Sequence, residues 1–326
     1  MIIGSIIEEN ISETRTALTP DVAKKLISSG HKVYIQKDLG LKSFFANQLY
    51  SNVKFLSPEE IYKKADILLQ ISPPSTKYLN LLSNKQILIS NFQNFNFKSH
   101  LLKPIVIRLE NVPRTSVAQS IDILSSQATI RGYVASIYCL AHSPIISQQL
   151  MTASTSTKPA HALILGASVT GLQASATFKR NGCIVTILDI NENNKDLALS
   201  VGATLKTPTT SNDLQELLKK TNFIVGCASS QNKKAPPIIS YKELQHLPKG
   251  SVIVDTTLNN IELKKSNNYF FYRNLHLEQL CPQSASILWS NNMLNLINAI
   301  YPSNSTYNLE IPYIKNMISN INQPIT

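Results

Sequence analysis

Residues 161–189 constrain the fold of this chain more than any other stretch. His161-Ala-Leu-Ile-Leu165 is an apolar run of strand length, Gly166-Ala-Ser-Val-Thr-Gly171 follows it, and residues 172–181 read as a helix. Gly182 closes that helix, Cys183-Ile-Val-Thr-Ile-Leu188 is a second apolar run, and Asp189 ends it. Strand, glycine turn, helix, strand and terminal acid within about thirty residues form the layout of a dinucleotide-binding βαβ unit. The glycine turn brings backbone N–H groups at a helix start towards a pyrophosphate, and the acid accepts from ribose hydroxyls. A carboxylate there also repels a 2′-phosphate, which favours NAD over NADP. Ser168 takes the second glycine position of G-x-G-x-x-G, where a side chain limits close approach. Serine is small and can donate a hydrogen bond, so weakened binding is expected here, not abolished binding.

The same alternation of short apolar strands and helices runs through the chain. Strands are expected at 2–8, 31–36, 65–71, 86–90, 104–109, 223–226, 251–255 and 269–273. Helices are expected at 58–64 behind a Ser57 cap, at 75–82, 96–102, 191–201 and 211–219, and from Ser240. Thr19-Pro20-Asp21 opens another helix, with Thr19 as the N-cap and Gly30 at its end. Near-continuous apolar strands separated by helices indicate parallel sheets covered on both faces. The fold class is therefore α/β: two Rossmann-like, doubly wound parallel-sheet domains joined by long helices. A helix at 284–300 is expected to return to the first domain, and a last helix at about 309–320 to complete it. The domains are then 1–127 plus 284–326, and 128–283. Asp255 ends a parallel strand, where it either faces the ligand crevice or caps the next turn.

At 326 residues both domains can bury a core, and a hydrophobic fraction of 43% excludes a disordered chain. No apolar stretch approaches the ~18 residues needed to span a bilayer, and the N-terminus has no basic n-region. A cytoplasmic or matrix-like, soluble product is expected. The four cysteines show no CxxC and read as buried thiols, and the six histidines are scattered, so no metal site is expected. The net charge of +11 comes from lysines standing singly or in pairs, without an aromatic-basic nucleic-acid motif. A solvated basic surface accounts for it better than nucleic acid does, with docking to an anionic membrane surface or acidic partner as the alternative.

Residues 114–127, Arg-Thr-Ser-Val-Ala-Gln-Ser-Ile-Asp-Ile-Leu-Ser-Ser-Gln, are dense in hydrogen-bonding side chains. Gln119, Asp122 and Ser125 fall at three-residue steps, so in a helix they point to one side. The polar set extends to Ser126, Thr129 and Tyr133, while Ile121, Ile123, Leu124, Ile130, Val134 and Ile137 take the other faces. One continuous helix from Val117 to about Ala141 is expected. Ser116 and Gln119 form its capping box, which is the plain structural alternative for Gln119.

Together these residues resemble the NAD(H)-binding domain I of the proton-translocating NAD(P) transhydrogenase alpha subunit, a family related to alanine dehydrogenase. The similarity runs from Thr14-Arg-Thr-Ala-Leu-Thr-Pro20 to about Asn298. It is densest at 113–133 and 151–202, and includes Cys281-Pro-x-Ser-Ala-Ser286. The resemblance implies that Arg114, Asp122 and Ser125 hold the nicotinamide and its carboxamide. Gln119 projects towards the NADP(H)-bearing partner, and Tyr133 packs near the dinucleotide. Gly166 and Gly171 bracket the pyrophosphate, with Ser168 and Val169 among the cofactor-binding residues, while Asp189 takes the adenosine ribose. Ile190 and Asp255 complete the cofactor set.

The implied activity is direct hydride transfer between NADH and NADP(H) bound on a beta subunit, coupled to proton translocation by membrane subunits. The implied assembly is a homodimer, cytoplasmic and peripheral at the inner membrane through those partners. The sequence departs from the family at Val117, which replaces a second arginine. The mobile loop before 223 is largely missing, and 256–261 lacks the family's glycine-rich character. A catalytically eroded NAD-binding or structural paralogue therefore stays open. So does an amino-acid dehydrogenase, although Gln70 and Asn91 stand where alanine dehydrogenases carry a substrate-binding lysine and a catalytic histidine.

Overall fold

The computed structural model describes residues 1–326 except 94, 97–102, 208–210, 229–236, 258, 263, 265, 303–307 and 320–326. Most of the helix expected at 96–102 and the lysine loop at 233–234 lie outside the described residues. The chain forms two compact units, Met1–Gln127 with Gln279–Thr326, and Ala128–Glu278.

The first unit begins with β1 (Ile2–Ser5), α1 (Pro20–Ser28), β2 (Lys32–Ile35), β3 (Lys54–Phe55), α2 (Pro58–Lys64) and β4 (Ile67–Leu69). It continues with α3 (Thr76–Leu79), β5 (Ile87–Ser90), β6 (Ile105–Arg108), and α4 (Ile123–Ala141), which carries the chain across the unit boundary. β4 and β5 are buried throughout, as strands covered on both faces must be. Ile67 and Leu69 join the core shared with α1, while Leu68 between them joins Ile61 and Tyr62 of α2. α2 starts where its sequence says: the Ser57 side chain accepts from Glu60 N–H and Glu60 reaches back to Ser57 N–H. Thr19 holds the N-cap position of α1 without a side-chain cap bond.

The second unit contains β7 (His161–Leu165), α5 (Val169–Arg180), β8 (Ile184–Leu188), α6 (Lys195–Ser200), β9 (Thr204–Lys206), α7 (Ser211–Leu218), β10 (Phe223–Gly226), α8 (Tyr241–Leu244), β11 (Ser251–Asp255) and β12 (Tyr269–Arg273). Its sheet order is β12-β11-β10-β7-β8-β9, parallel throughout. Strand order reverses between β7 and β10, the switch point at which open α/β sheets bind ligands.

The chain then returns to the first unit through α9 (Pro282–Ile300), α10 (Pro312–Lys315) and β13 (Ile318–Ser319). The helix expected at 309–320 is cut to the four residues of α10, because Ile318 and Ser319 pair antiparallel with β6. Strand pairing outcompetes one further helical turn. The first sheet is thus ordered β13-β6-β5-β4-β1-β2-β3, with only β13 antiparallel among the described residues. Among the described residues no helix is long and apolar enough to cross a membrane.

Candidate functional site

In the second unit, β7 delivers Gly166 into a left-handed turn at φ 99°, where a Cβ would collide with Ala228. Only glycine takes that conformation without strain. Gly171, one turn into α5, sits where a Cβ would run into the Gly166 carbonyl and the Cys227 sulfur. Its role is close helix–strand packing. Ser168 is the N-cap of α5: its hydroxyl accepts from Gly171 N–H at 3.3 Å and donates to the Cys227 carbonyl at 3.1 Å. α5 therefore begins at Val169, three residues before the expected start, and the Ser168 hydroxyl is committed within the protein. The N–H groups of Val169 and Thr170 have no partner among the described residues. They leave two aligned donors at a helix start, the arrangement that suits a pyrophosphate.

Asp189 lies at the end of β8. Its Oδ2 accepts from Ala167 N–H at 2.6 Å and its Oδ1 from Asn191 N–H at 2.8 Å. These bonds orient the carboxylate and leave lone pairs for ribose hydroxyls. Ile190 beside it is 87% exposed, an apolar surface next to the acid. Tyr133 on α4 is half-exposed. Gly132 before it is packed so closely that a Cβ would strike the Thr170 carbonyl, and Thr170 Oγ1 donates to the Ala128 carbonyl at 3.3 Å.

Asp255 does not join this group. It is fully buried, its Oδ1 accepts from Thr257 N–H at 3.0 Å and Oγ1 at 2.8 Å, and its Oδ2 pairs with Arg273 at 2.9 Å. Of the two roles open to it in sequence, the geometry is that of the turn cap. Sequence reasoning had no signal for this, since Arg273 stands 18 residues further on.

In the first unit the 114–127 stretch is not one continuous helix. Ser116–Ile121 is a 3-10 segment, the backbone breaks at Asp122 with ψ 90°, and α4 starts at Ile123. The expected capping box of Ser116 and Gln119 is absent: Thr115 takes the N-cap position and no side chain caps that segment. Asp122 caps α4 instead. Its Oδ1 accepts from Ser125 N–H at 3.0 Å and its Oδ2 from the Ser125 hydroxyl at 2.6 Å. The break is fixed by α9, whose Asn292 and Asn295 amides both donate to the Ser120 carbonyl, at 2.8 and 3.0 Å.

Arg114 and Gln119 are exposed, and neither side chain has a partner among the described residues. Leu124, expected to be covered, is 37% exposed, and in the second unit Ile137 is 38% exposed. The structure thus brings Asp122 and Ser125 into contact within the first unit. It groups Gly166, Ser168, Val169, Gly171 and Asp189 within the second.

The first unit also buries the polar side chains of Glu8, Glu13, Arg15 and Gln70, of which sequence reading weighed a role only for Gln70. Arg15 forks onto both oxygens of Glu13, at 2.8 and 2.7 Å, and donates to Gln127 Oε1 at 2.9 Å. Burial works against the Glu13 charge, yet the Arg15 bonds hold its pKa below the usual range. Glu8 accepts from the N–H groups of Ile71 and Ser72, but burial outweighs them and pushes its pKa up to about 8. Gln70 is 1% exposed and accepts the Tyr62 hydroxyl at 2.8 Å. Asn91 accepts from Gln93 N–H at 3.0 Å.

The alanine dehydrogenase/PNT N-terminal domain pattern matches residues 5–131, and the alanine dehydrogenase/PNT C-terminal domain pattern matches 139–326. The first part of the NAD(P) transhydrogenase subunit alpha of Rickettsia prowazekii is 31% identical over 98% of this chain and 94% of its own length. The NAD(P) transhydrogenase subunit alpha of Haemophilus influenzae is 27% identical over 92% of this chain and 66% of its own. Among solved structures, a transhydrogenase from Sinorhizobium meliloti superimposes with a TM-score of 0.87 over 98% of both chains, at 24% identity. An L-alanine dehydrogenase does so at 0.78 and 19% identity, over 93% of this chain and 91% of its own. With both halves matched, the chain belongs to the alanine dehydrogenase/PNT family.

Proposed function

We propose that this chain is the NAD(H)-binding subunit of a proton-translocating transhydrogenase. In that reading hydride passes directly between NADH on this chain and NADP on a beta subunit, and membrane subunits couple the transfer to proton movement. The subunit works as a homodimer, peripheral to the membrane through its partners. Two relatives named as transhydrogenase alpha subunits support the assignment.

The observation that carries it is the make-up of residues 114–126. This segment holds an exposed arginine without a partner among the described residues, an exposed glutamine and an Asp122–Ser125 hydrogen-bonded turn, with no histidine, lysine or cysteine. Hydride transfer between two nicotinamides needs rings held and oriented with water kept out, and it needs no proton shuttle from the protein. Groups that position through hydrogen bonds, with both Asp122 oxygens engaged by Ser125, fit that demand. The amides of Val169 and Thr170, without partners among the described residues, and Asp189 after the next strand fit the pyrophosphate and ribose of the cofactor.

When bound, NADH supplies the hydride. Val169 and Thr170 bind its phosphates through their N–H groups, and Asp189 selects NAD over NADP. Arg114, Asp122 and Ser125 orient the carboxamide, and Gln119 meets the partner. An amino-acid dehydrogenase reading loses ground at Gln70, which is buried under Tyr62 and carries no cation. Fluorescence titration tests the proposal. Wild type is expected to bind NADH saturably, and Arg114→Ala to bind it about tenfold more weakly, the scale of one charged hydrogen bond. Absence of saturable binding by wild type favours the eroded paralogue.

A further inference from the structure

Asn292 is 9% exposed on α9, a helix whose neighbouring positions Met293, Leu294, Leu296 and Ile297 are buried and apolar. A buried amide is costly unless both of its ends are paired. Here the two ends are paired on opposite sides of one backbone break. Nδ2 donates to the Ser120 carbonyl at 2.8 Å, before Asp122, and Oδ1 accepts from the Ser126 hydroxyl at 2.8 Å, after it. Asn295, one helical step on and exposed, adds a second donor to Ser120 at 3.0 Å.

In a continuous helix the Ser120 carbonyl would accept from the N–H four residues on. The two amides replace that bond, and so they hold the kink that turns the Asp122 carboxylate back onto Ser125. The Ile123 carbonyl lies 3.0 Å from the Ser126 hydroxyl as a second, longer acceptor for its one proton, beside the 2.8 Å bond to Asn292.

We infer that Asn292, assisted by Asn295, is a positioning residue for the Asp122–Ser125 turn and thereby sets affinity for the nicotinamide half of the cofactor. The second clause rests on the cofactor reading above. Asn292 touches neither cofactor nor partner in this assignment. It acts through the backbone at Ser120 and the hydroxyl of Ser126.

Two measurements on the full chain test it, with wild type, Asn292→Leu and Asn295→Ala. Without nucleotide, amide hydrogen exchange at Ser125 and Ser126 is expected to quicken about tenfold in Asn292→Leu, with β4 and β5 unchanged. Asn295→Ala, at an exposed position, is expected to show about two- to threefold at the same amides. With nucleotide, Asn292→Leu is expected to weaken NADH about five- to tenfold while leaving ADP-ribose, which lacks the nicotinamide, unaffected. A merely structural residue would move both ligands together or neither.

Unchanged exchange at Ser125 and Ser126, or acceleration spread evenly over the unit, overturns the positioning role. A parallel loss of NADH and ADP-ribose binding overturns the nicotinamide clause. Failure of wild type to bind NADH overturns the cofactor reading alone, since the exchange measurement judges the tether without any nucleotide.

Discussion

Asp189 and Asp255 both end strands of the second sheet, yet their carboxylates have different work. Asp189 is held by two backbone N–H groups and keeps capacity for more, whereas both Asp255 oxygens are committed inside the unit. The glycine turn made Asp189 legible in sequence because its context is local. Asp255 was ambiguous because Arg273 lies on the neighbouring strand β12, in register with it. Arg273→Leu is expected to destabilise the second unit by about 2–3 kcal/mol in urea denaturation. That is below the full cost of orphaning a buried charge, since Arg273 is itself 32% exposed. No change would show that the Thr257 bonds suffice.

Glu8 gives the pH counterpart. Its folded pKa of about 8 stands above the ordinary 4.5, so the folded state holds the proton more tightly than the unfolded chain. The contribution is complete below about 4.5 and is lost as pH rises through about 8. Stability of wild type should therefore fall with pH across that window more steeply than that of Glu8→Gln. Parallel pH profiles would mean that the Ile71 and Ser72 amides keep the carboxylate charged.

Elements whose signals are local followed the sequence, and elements set from a distance did not. α2 begins at its own capping box, and Gly182 ends α5 in a left-handed turn at φ 81°. The box expected at Ser116 lost to amides from α9, more than 170 residues away in the chain. Edge strands β3 and β9 were missed because their two and three residues carry little apolar pattern. Ser168 stood out in sequence as a departure from glycine with a hydroxyl to donate, but its capping of α5 and its bond to the Cys227 carbonyl had no sequence signal.

Helix contact in the second unit yields a sharp expectation. Gly132 on α4 leaves no room for a Cβ against the Thr170 carbonyl, and the Ser136 hydroxyl binds the Ala174 carbonyl at 3.1 Å along the same contact. Gly132→Ala should displace the start of α5, costing about 1–3 kcal/mol in thermal or urea unfolding. NADH binding should weaken alongside it. Unchanged affinity in a folded variant would mean that the Val169 and Thr170 amides are not the phosphate donors.

At the scale of the whole molecule, one chain carries two doubly wound units with different chemistry. The second offers donors and an acid suited to a dinucleotide, and the first offers the hydrogen-bonded Asp122–Ser125 turn. In the proposed reading this chain holds and orients the hydride donor, and the acceptor is held by a partner subunit. Sequence conveyed both units and the dinucleotide motif, because strand periodicity and glycine turns are local. It missed the bent shape of the 114–127 segment, because α9 imposes that shape.

The most direct measurement follows NADH oxidation with NADP present, first with this chain alone and then with a purified NADP(H)-binding transhydrogenase beta subunit added. Transfer that appears only with the beta subunit is the expected result. Equal NADP reduction by the chain alone, or none with a competent beta subunit, would contradict direct transfer between subunits.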